Sequence, residues 1–186
     1  MVRELRIYFE GDIRLRPGFR SFLNEIYEAA RAKEYRVELV ATDGTPVQDY
    51  YNGLKANPRA WNVLLLDSDA PARVFAEMCT GKRIEASEEG SVFWMVQIME
   101  SWFLADMAAL REYFGNRFRE AAATGNPRVE EVPKVDVMSR LNAAAGGDYH
   151  KVKDGTNLLA RVDPLRVRKA APNCDRMFST ILRALQ

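Results

Sequence analysis

Four apolar residues, Val63 to Leu66, follow Asn62 without a polar break and end in Asp67-Ser68-Asp69. A strand with one face in water alternates apolar and polar side chains. An unbroken run bounded by acids therefore reads as a strand buried on both faces, the kind found in parallel sheets covered by helices. It also puts two carboxylates at the C-terminal edge of the sheet, where open α/β sheets bind ligands. Side chains two apart share a face if the strand continues, and a turn after Asp67 brings both acids toward one cation. A second strand, Leu5 to Glu10, ends in an acid followed by Gly11. Glu10, Asp67 and Asp69, three acids on two strand ends, outline a site for Mg²⁺ or Mn²⁺. Such a hard cation takes few carboxylates and keeps waters for substrate phosphates.

The rest of the chain fits the same architecture. Phe19, Phe22, Leu23, Ile26, Tyr27 and Ala30 share one face of a helix predicted from Phe19 to Lys33, and Arg36 to Ala41 is a second strand. Thr45 reads as an N-cap with Pro46 at the first helical position, and that helix runs to about Ala56, where Asn57-Pro58 stops it. Ala70-Pro71 opens a helix to about Thr80, and residues 81–90 form a charged loop. Ser91 to Val96 is a fourth strand, which feeds a helix ending near Gly115 with Met99, Phe103, Met107, Leu110 and Phe114 on one stripe. Residues 126–133 read as an extended linker and Lys134 to Ala145 as a helix. Two more helices are entered at Asp163-Pro164 and at Pro172. Strands alternating with helices predict an α/β fold with a mostly parallel, Rossmann-like sheet flanked by helices. The 186 residues suit one domain, with an α/β core over 1–115 and a helical C-terminal appendage over 116–186.

Composition removes several function classes. A hydrophobic fraction of 47% and a charged fraction of 28% are ordinary for a globular chain, and no apolar run approaches the roughly 20 residues that span a bilayer. The N-terminus enters a strand without a secretory signal pattern, so a cytoplasmic protein is expected. Cys79 and Cys174 lack metal-ligand spacing and read as reduced thiols. His150 is the only histidine, which excludes histidine-based triads and zinc clusters, and Gly11-Asp12 is not a phosphate-binding P-loop. The net charge of +1 is uneven: residues 147–186 hold eight Lys/Arg against four Asp/Glu, leaving 19 against 22 in the remainder. That split suits a protein that holds a cation in one place and phosphates in another, or a solvated basic helix face.

Other candidates each carry an alternative. Asp69 precedes Ala70-Pro71 and reads equally as a helix N-cap. Glu100, at the strand-to-helix junction, either joins the acids to serve a second metal or stabilises a first helical turn through the dipole. Trp102 packs in the core or stacks on a base. His150 supplies a proton near neutral pH or is an exposed loop residue, and Lys151 and Lys153 contact phosphates. Lys134, Arg161, Arg166, Arg168, Lys169 and Arg176 are further phosphate-contact candidates.

Glu10-Gly11 at the end of a first strand and Asp67-Ser68-Asp69 at the end of a third resemble the Toprim domain over about residues 4–110. The resemblance implies Mg²⁺-dependent phosphodiester chemistry on DNA or RNA, with Glu10 as general acid/base or ligand and Asp67 and Asp69 as ligands. It extends to the nucleases of ATPase-associated phage-defence systems, so a nuclease is expected. The alternative is a non-catalytic binding or regulatory subunit beside an ATPase. The whole chain is also similar to a prokaryotic family described as a domain of unknown function. The shared segments are Asp67 to Pro71, Met95 to Asp106, Asn126 to Lys134 and Tyr149-His150-Lys151.

Overall fold

The four expected strands form, and all are parallel. In the computed structural model, which describes residues 3–42, 44–71, 75–85, 90–124 and 126–186, they are β1 (Arg3–Glu10), β2 (Tyr35–Thr42), β3 (Trp61–Asp67) and β4 (Val92–Met95). The sheet order is β2-β1-β3-β4, so the chain steps outward to β2 and then crosses β1 to lay down β3 and β4 on the other side. The unbroken apolar run follows directly from this. Ile7 lies beside Val63, and Phe9 beside Leu65 beside Phe93, all in one large buried cluster. Tyr8 lies beside Leu64 beside Val92 in a second cluster on the opposite face. Every residue of the run therefore has apolar neighbours, whichever way it points.

The first crossover contains a 3-10 turn (Ile13–Leu15), α1 (Arg16–Phe22) and α2 (Asn24–Ala32). The expected single helix bends at Leu23, where φ is −89° and ψ is 15°, yet its apolar stripe stays buried apart from the half-buried Tyr27. α3 (Pro46–Ala56) starts at the expected proline, but Thr45 does not cap it: its hydroxyl donates to Asp49 Oδ2 at 3.1 Å. α4 is Phe75–Lys82; Ala70 and Pro71, the expected opening of that helix, are not helical, and residue 43 of the expected turn before α3, residues 72–74 and residues 86–89 of the expected charged loop lie outside the described residues.

After β4 the expected long helix is two elements. Met99–Ala105 is a 3-10 helix, and α5 (Met107–Phe114) starts afresh at Asp106, whose Oδ1 accepts the Ala108 and Ala109 N–H groups. That is N-cap geometry, and it ends the first element as it begins the second. Then come α6 (Glu120–Ala123), a 3-10 turn (Val129–Glu131) inside the expected extended linker, α7 (Lys134–Ala144), α8 (Lys151–Leu159), α9 (Pro164–Ala170) and α10 (Pro172–Ala184).

These last helices share the core of the sheet. Leu158, Leu159, Val167, Phe178 and Ile181 belong to the same cluster as Ile7 and Phe9. Phe22 stacks on Trp102 at 4.9 Å and meets Phe178 edge-on at 5.7 Å, contacts that add about 0.5–1.5 kcal/mol each beyond area burial. Trp102 is fully buried, so of its two readings the core one holds. Cys79 and Cys174 are reduced thiols buried on opposite faces of the sheet. Among the described residues no helix is long and apolar enough to cross a membrane.

Candidate functional site

The order β2-β1-β3-β4 makes the β1/β3 boundary a topological switch point, where the connections leave toward opposite faces and a crevice opens at the C-terminal edge. A cavity of about 320 Å³ lies there, lined by Glu10, Gly11, Asp67, Met99, Glu100 and Lys151 among others. Gly11 turns the chain beneath it with φ of 141°, a value that favours glycine, and a Cβ there would sit 2.8 Å from Leu15 Cδ1. Glu10 Oε2 accepts the Asp67 N–H at 3.1 Å, tying the two strand ends together. Asp67 is buried, and its Oδ1 accepts the Met99 N–H at 2.9 Å, which fixes the chain leaving β4. One residue further on, Glu100 is fully buried, and among the described residues neither of its oxygens has a hydrogen-bond partner. Lys151 Nζ, at the start of α8, lies 3.7 Å from Glu100 Oε1.

Burial, then Glu100 and Glu10, push the Asp67 carboxyl up to about 8, against the pull of the Met99 N–H and Lys151. Glu100 is pushed up by burial, with Lys151 opposing. Buried carboxylates without partners are costly, so the cavity asks for either protons or a cation. The Tyr149 hydroxyl is also buried, without a hydrogen-bond partner among the described residues, and its pKa is pushed up by burial and by Glu100 and Asp154. Asp154 holds this corner in place by accepting the Tyr113 hydroxyl and the His150 N–H, both at 2.7 Å. The His150 ring itself is exposed, with Nε2 3.0 Å from Asp148 Oδ1, and does not line the cavity. Of the two readings of His150, the exposed loop residue is the one its placement favours.

Asp69 departs from the expected convergence on one cation. Its backbone turns to φ of 55°, and its N–H donates to Gln97 O at 2.9 Å. The carboxylate is gripped by Lys82 Nζ at 2.7 Å and Lys134 Nζ at 2.6 Å, and it does not line the acidic cavity. Burial opposes ionisation, but the two lysines hold the carboxyl below its ordinary range. The acid that joins Glu10 and Asp67 at the cavity is Glu100. Among the described residues no group of three or more His, Cys, Asp and Glu side chains is placed to hold a metal ion by itself.

A family model described as "Domain of unknown function (DUF4276)" matches residues 14–182. The chain belongs to this family. The DUF4276 match takes in Asp67, Asp69, Glu100, Lys134 and Lys151, and begins just beyond Glu10 and Gly11. No curated protein and no solved structure matches the chain.

In this DUF4276 chain much of the C-terminal positive charge is engaged internally. Arg168 is largely buried, pairs with Glu25 at 2.9 Å and Asp175 at 2.8 Å, and lies over the Phe178 ring. Arg176 donates to Val92 O at 2.7 Å and covers Phe93. Arg161 donates to Asn157 O and lies over Tyr113. Arg168 and Arg176 take part in the packing of α2, β4 and α10, whereas Arg161 is exposed. Lys153, Arg166 and Lys169 are exposed, Arg166 standing 3.7 Å from Asp106 and Asp163. Arg168→Ala is expected to lower stability by about 1–3 kcal/mol, whereas Arg166→Ala stays within about 0.5 kcal/mol. Urea unfolding of the two variants checks this, and equal midpoints would return Arg168 to the surface set.

Lys82, Gln97 and Tyr149 carry site geometry that sequence reasoning missed. Gln97 Oε1 accepts the Lys134 N–H at 3.0 Å while its carbonyl accepts that of Asp69, so one side chain and its own backbone locate both. In the sequence Gln97 and Tyr149 are marked only by lying in the segments Met95 to Asp106 and Tyr149-His150-Lys151, near the candidate residues Glu100 and His150; Lys82 carries no such mark.

Proposed function

We propose that this DUF4276 protein is a Mg²⁺-dependent nuclease of Toprim type that cleaves phosphodiester bonds in DNA or RNA in the cytoplasm. The observation that carries the reading is Glu100, a fully buried carboxylate with no hydrogen-bond partner among the described residues, beside Asp67, whose pKa is raised. Glu10, Asp67 and Glu100 would hold the cation. The residues fit Mg²⁺ as an open set, since that ion usually binds one or two carboxylates directly and keeps several waters. When bound, it supplies Lewis-acid stabilisation of charge on the phosphate oxygens. Glu10, with Oε2 held by the Asp67 N–H, keeps Oε1 for moving a proton to or from the attacking or leaving oxygen. Lys151 Nζ, half exposed at the cavity mouth, offers positive charge to a phosphate. Leu15, Met99 and Val152 give the cavity an apolar side that limits water.

The absence of a complete ligand set among the described residues favours a second reading, a non-catalytic subunit of an ATPase-associated phage-defence complex. Calorimetric Mn²⁺ titration, with cleavage assays on DNA and RNA, separates the two. The nuclease reading expects Mn²⁺ binding that Glu10→Gln weakens at least about 10-fold, together with loss of cleavage. Wild-type protein that neither binds Mn²⁺ nor cuts would favour the second reading.

A further inference from the structure

We propose that Lys82 and Lys134, bridged by Asp69, form a separate phosphate-binding site beside the acidic cavity. The three residues come from distant parts of the chain: Asp69 follows β3, Lys82 ends α4 and Lys134 begins α7. Each ammonium takes a different oxygen of one carboxylate, at 2.7 and 2.6 Å, leaving a surplus positive charge where two like charges are held together. An ammonium has three donors. Among the described residues neither lysine makes a second side-chain hydrogen bond, so two N–H groups remain on each. The arrangement is braced rather than incidental, because the backbone of Gln97 fixes Asp69 and its side chain fixes the Lys134 backbone. All three side chains reach solvent, Asp69 and Lys134 being nearly half exposed.

Two ammonium point charges aimed through a shared acid suit an anion with several strong acceptor oxygens, and a phosphoryl group is the common biological case. Lys82 also borders a cavity of about 250 Å³ with Ser68, Ala70 and Glu77. Lys134 is within electrostatic reach of Asp67 and Glu10, so a phosphate held at the pair would stand next to the acidic cavity. Asp69 limits the charge at the pair, while the helix ends and Gln97 fix where the two lysines stand. The site does not require a metal in that cavity.

The test therefore uses the intact protein in EDTA, where failure of the cation reading has no bearing. The probes are a fluorescent single-stranded DNA of about a dozen residues, with and without a 5′-phosphate, and pyrophosphate as competitor. Lys82→Met and Lys134→Met are each expected to weaken DNA binding about 5–10-fold and to flatten the salt dependence by about 0.7 of a slope unit, with thermal stability nearly unchanged. Asp69→Asn is expected to strengthen binding, because it raises the local charge while keeping the side-chain size. A purely structural role for Asp69 predicts weaker binding instead. Dependence on the 5′-phosphate would identify a terminal phosphate as the ligand, and indifference to it a backbone diester. The proposal is overturned if wild-type protein binds neither probe. It also falls if both Lys→Met variants keep wild-type affinity and slope, or if Asp69→Asn loses affinity.

Discussion

Asp67→Asn is expected to raise the melting temperature of the metal-free protein at pH 8 while removing Mn²⁺ binding and metal-dependent cleavage. The carboxyl titrates at about 8 in the folded chain against an ordinary 3.8. Between those values the native state holds a proton that the unfolded state has released. Asp67's contribution to the stability of the metal-free protein is thus full below about pH 4 and is lost as pH rises toward about 8. The loss is of order 3–6 kcal/mol, or roughly 10 °C in melting temperature for a chain of this size. Asparagine resembles the protonated acid and keeps Oδ1 for the Met99 N–H, so the variant escapes the loss. Scanning calorimetry in EDTA across that window checks the slope, and a saturating divalent cation should flatten it in the wild type only. A wild-type melting temperature indifferent to pH, or a variant that melts lower at pH 8, would mean that the chain already satisfies the charge.

Gly18→Ala is expected to cost about 3 kcal/mol or more, near the upper end of what overpacking a core does, because here the obstacle is backbone. A Cβ on Gly18, in α1, would lie 2.5 Å from Thr156 O and 2.8 Å from Leu159 Cβ of α8. The Gly18 N–H also donates to Thr156 Oγ1 at 3.2 Å, so the helices touch without room to spare. Displacing α8 moves Lys151 away from Glu100, and Mn²⁺ affinity should change although Gly18 does not line the cavity. Gly81→Ala, where among the described residues nothing lies within 4 Å of the added Cβ, is the control and should be neutral or stabilising by up to about 1 kcal/mol. Urea denaturation distinguishes them, and a wild-type midpoint for Gly18→Ala would show that α8 is not seated on α1.

The sheet was legible because burial on both faces leaves a mark on consecutive residues: Val63 to Leu66 could hardly belong to a half-exposed strand. Glu10 and Asp67 were legible for a related reason, since a polar residue ending such a run must sit at the sheet edge. Asp69 was not. Its fate is set by Lys82 and Lys134, 13 and 65 residues away, and nothing local distinguishes an acid that faces a cation from one that faces two lysines. Charge counting failed at Arg168 in the same way, because its partner Glu25 is 143 positions distant. The long helix expected after β4 misled because its apolar stripe is genuine: Met99, Phe103, Leu110 and Phe114 are all buried. Asp106 interrupts the hydrogen-bond ladder without interrupting that stripe, and it accepts the Asp163 N–H as well, which no local pattern announces.

The cavity joins residues far apart in the order of synthesis. Glu10 and Asp67 belong to the first strands made, Glu100 follows β4, and Lys151 belongs to α8. During vectorial synthesis the acids emerge well before the lysine that partly offsets them, and N-terminal segments are the first able to organise. A nascent chain that has reached only α5 would therefore carry the carboxylates without Lys151 and without the α8 wall. The pocket comes into being only when α8 closes on α1 and on the 3-10 helix that presents Glu100, so maturation of the site is coupled to completion of the fold.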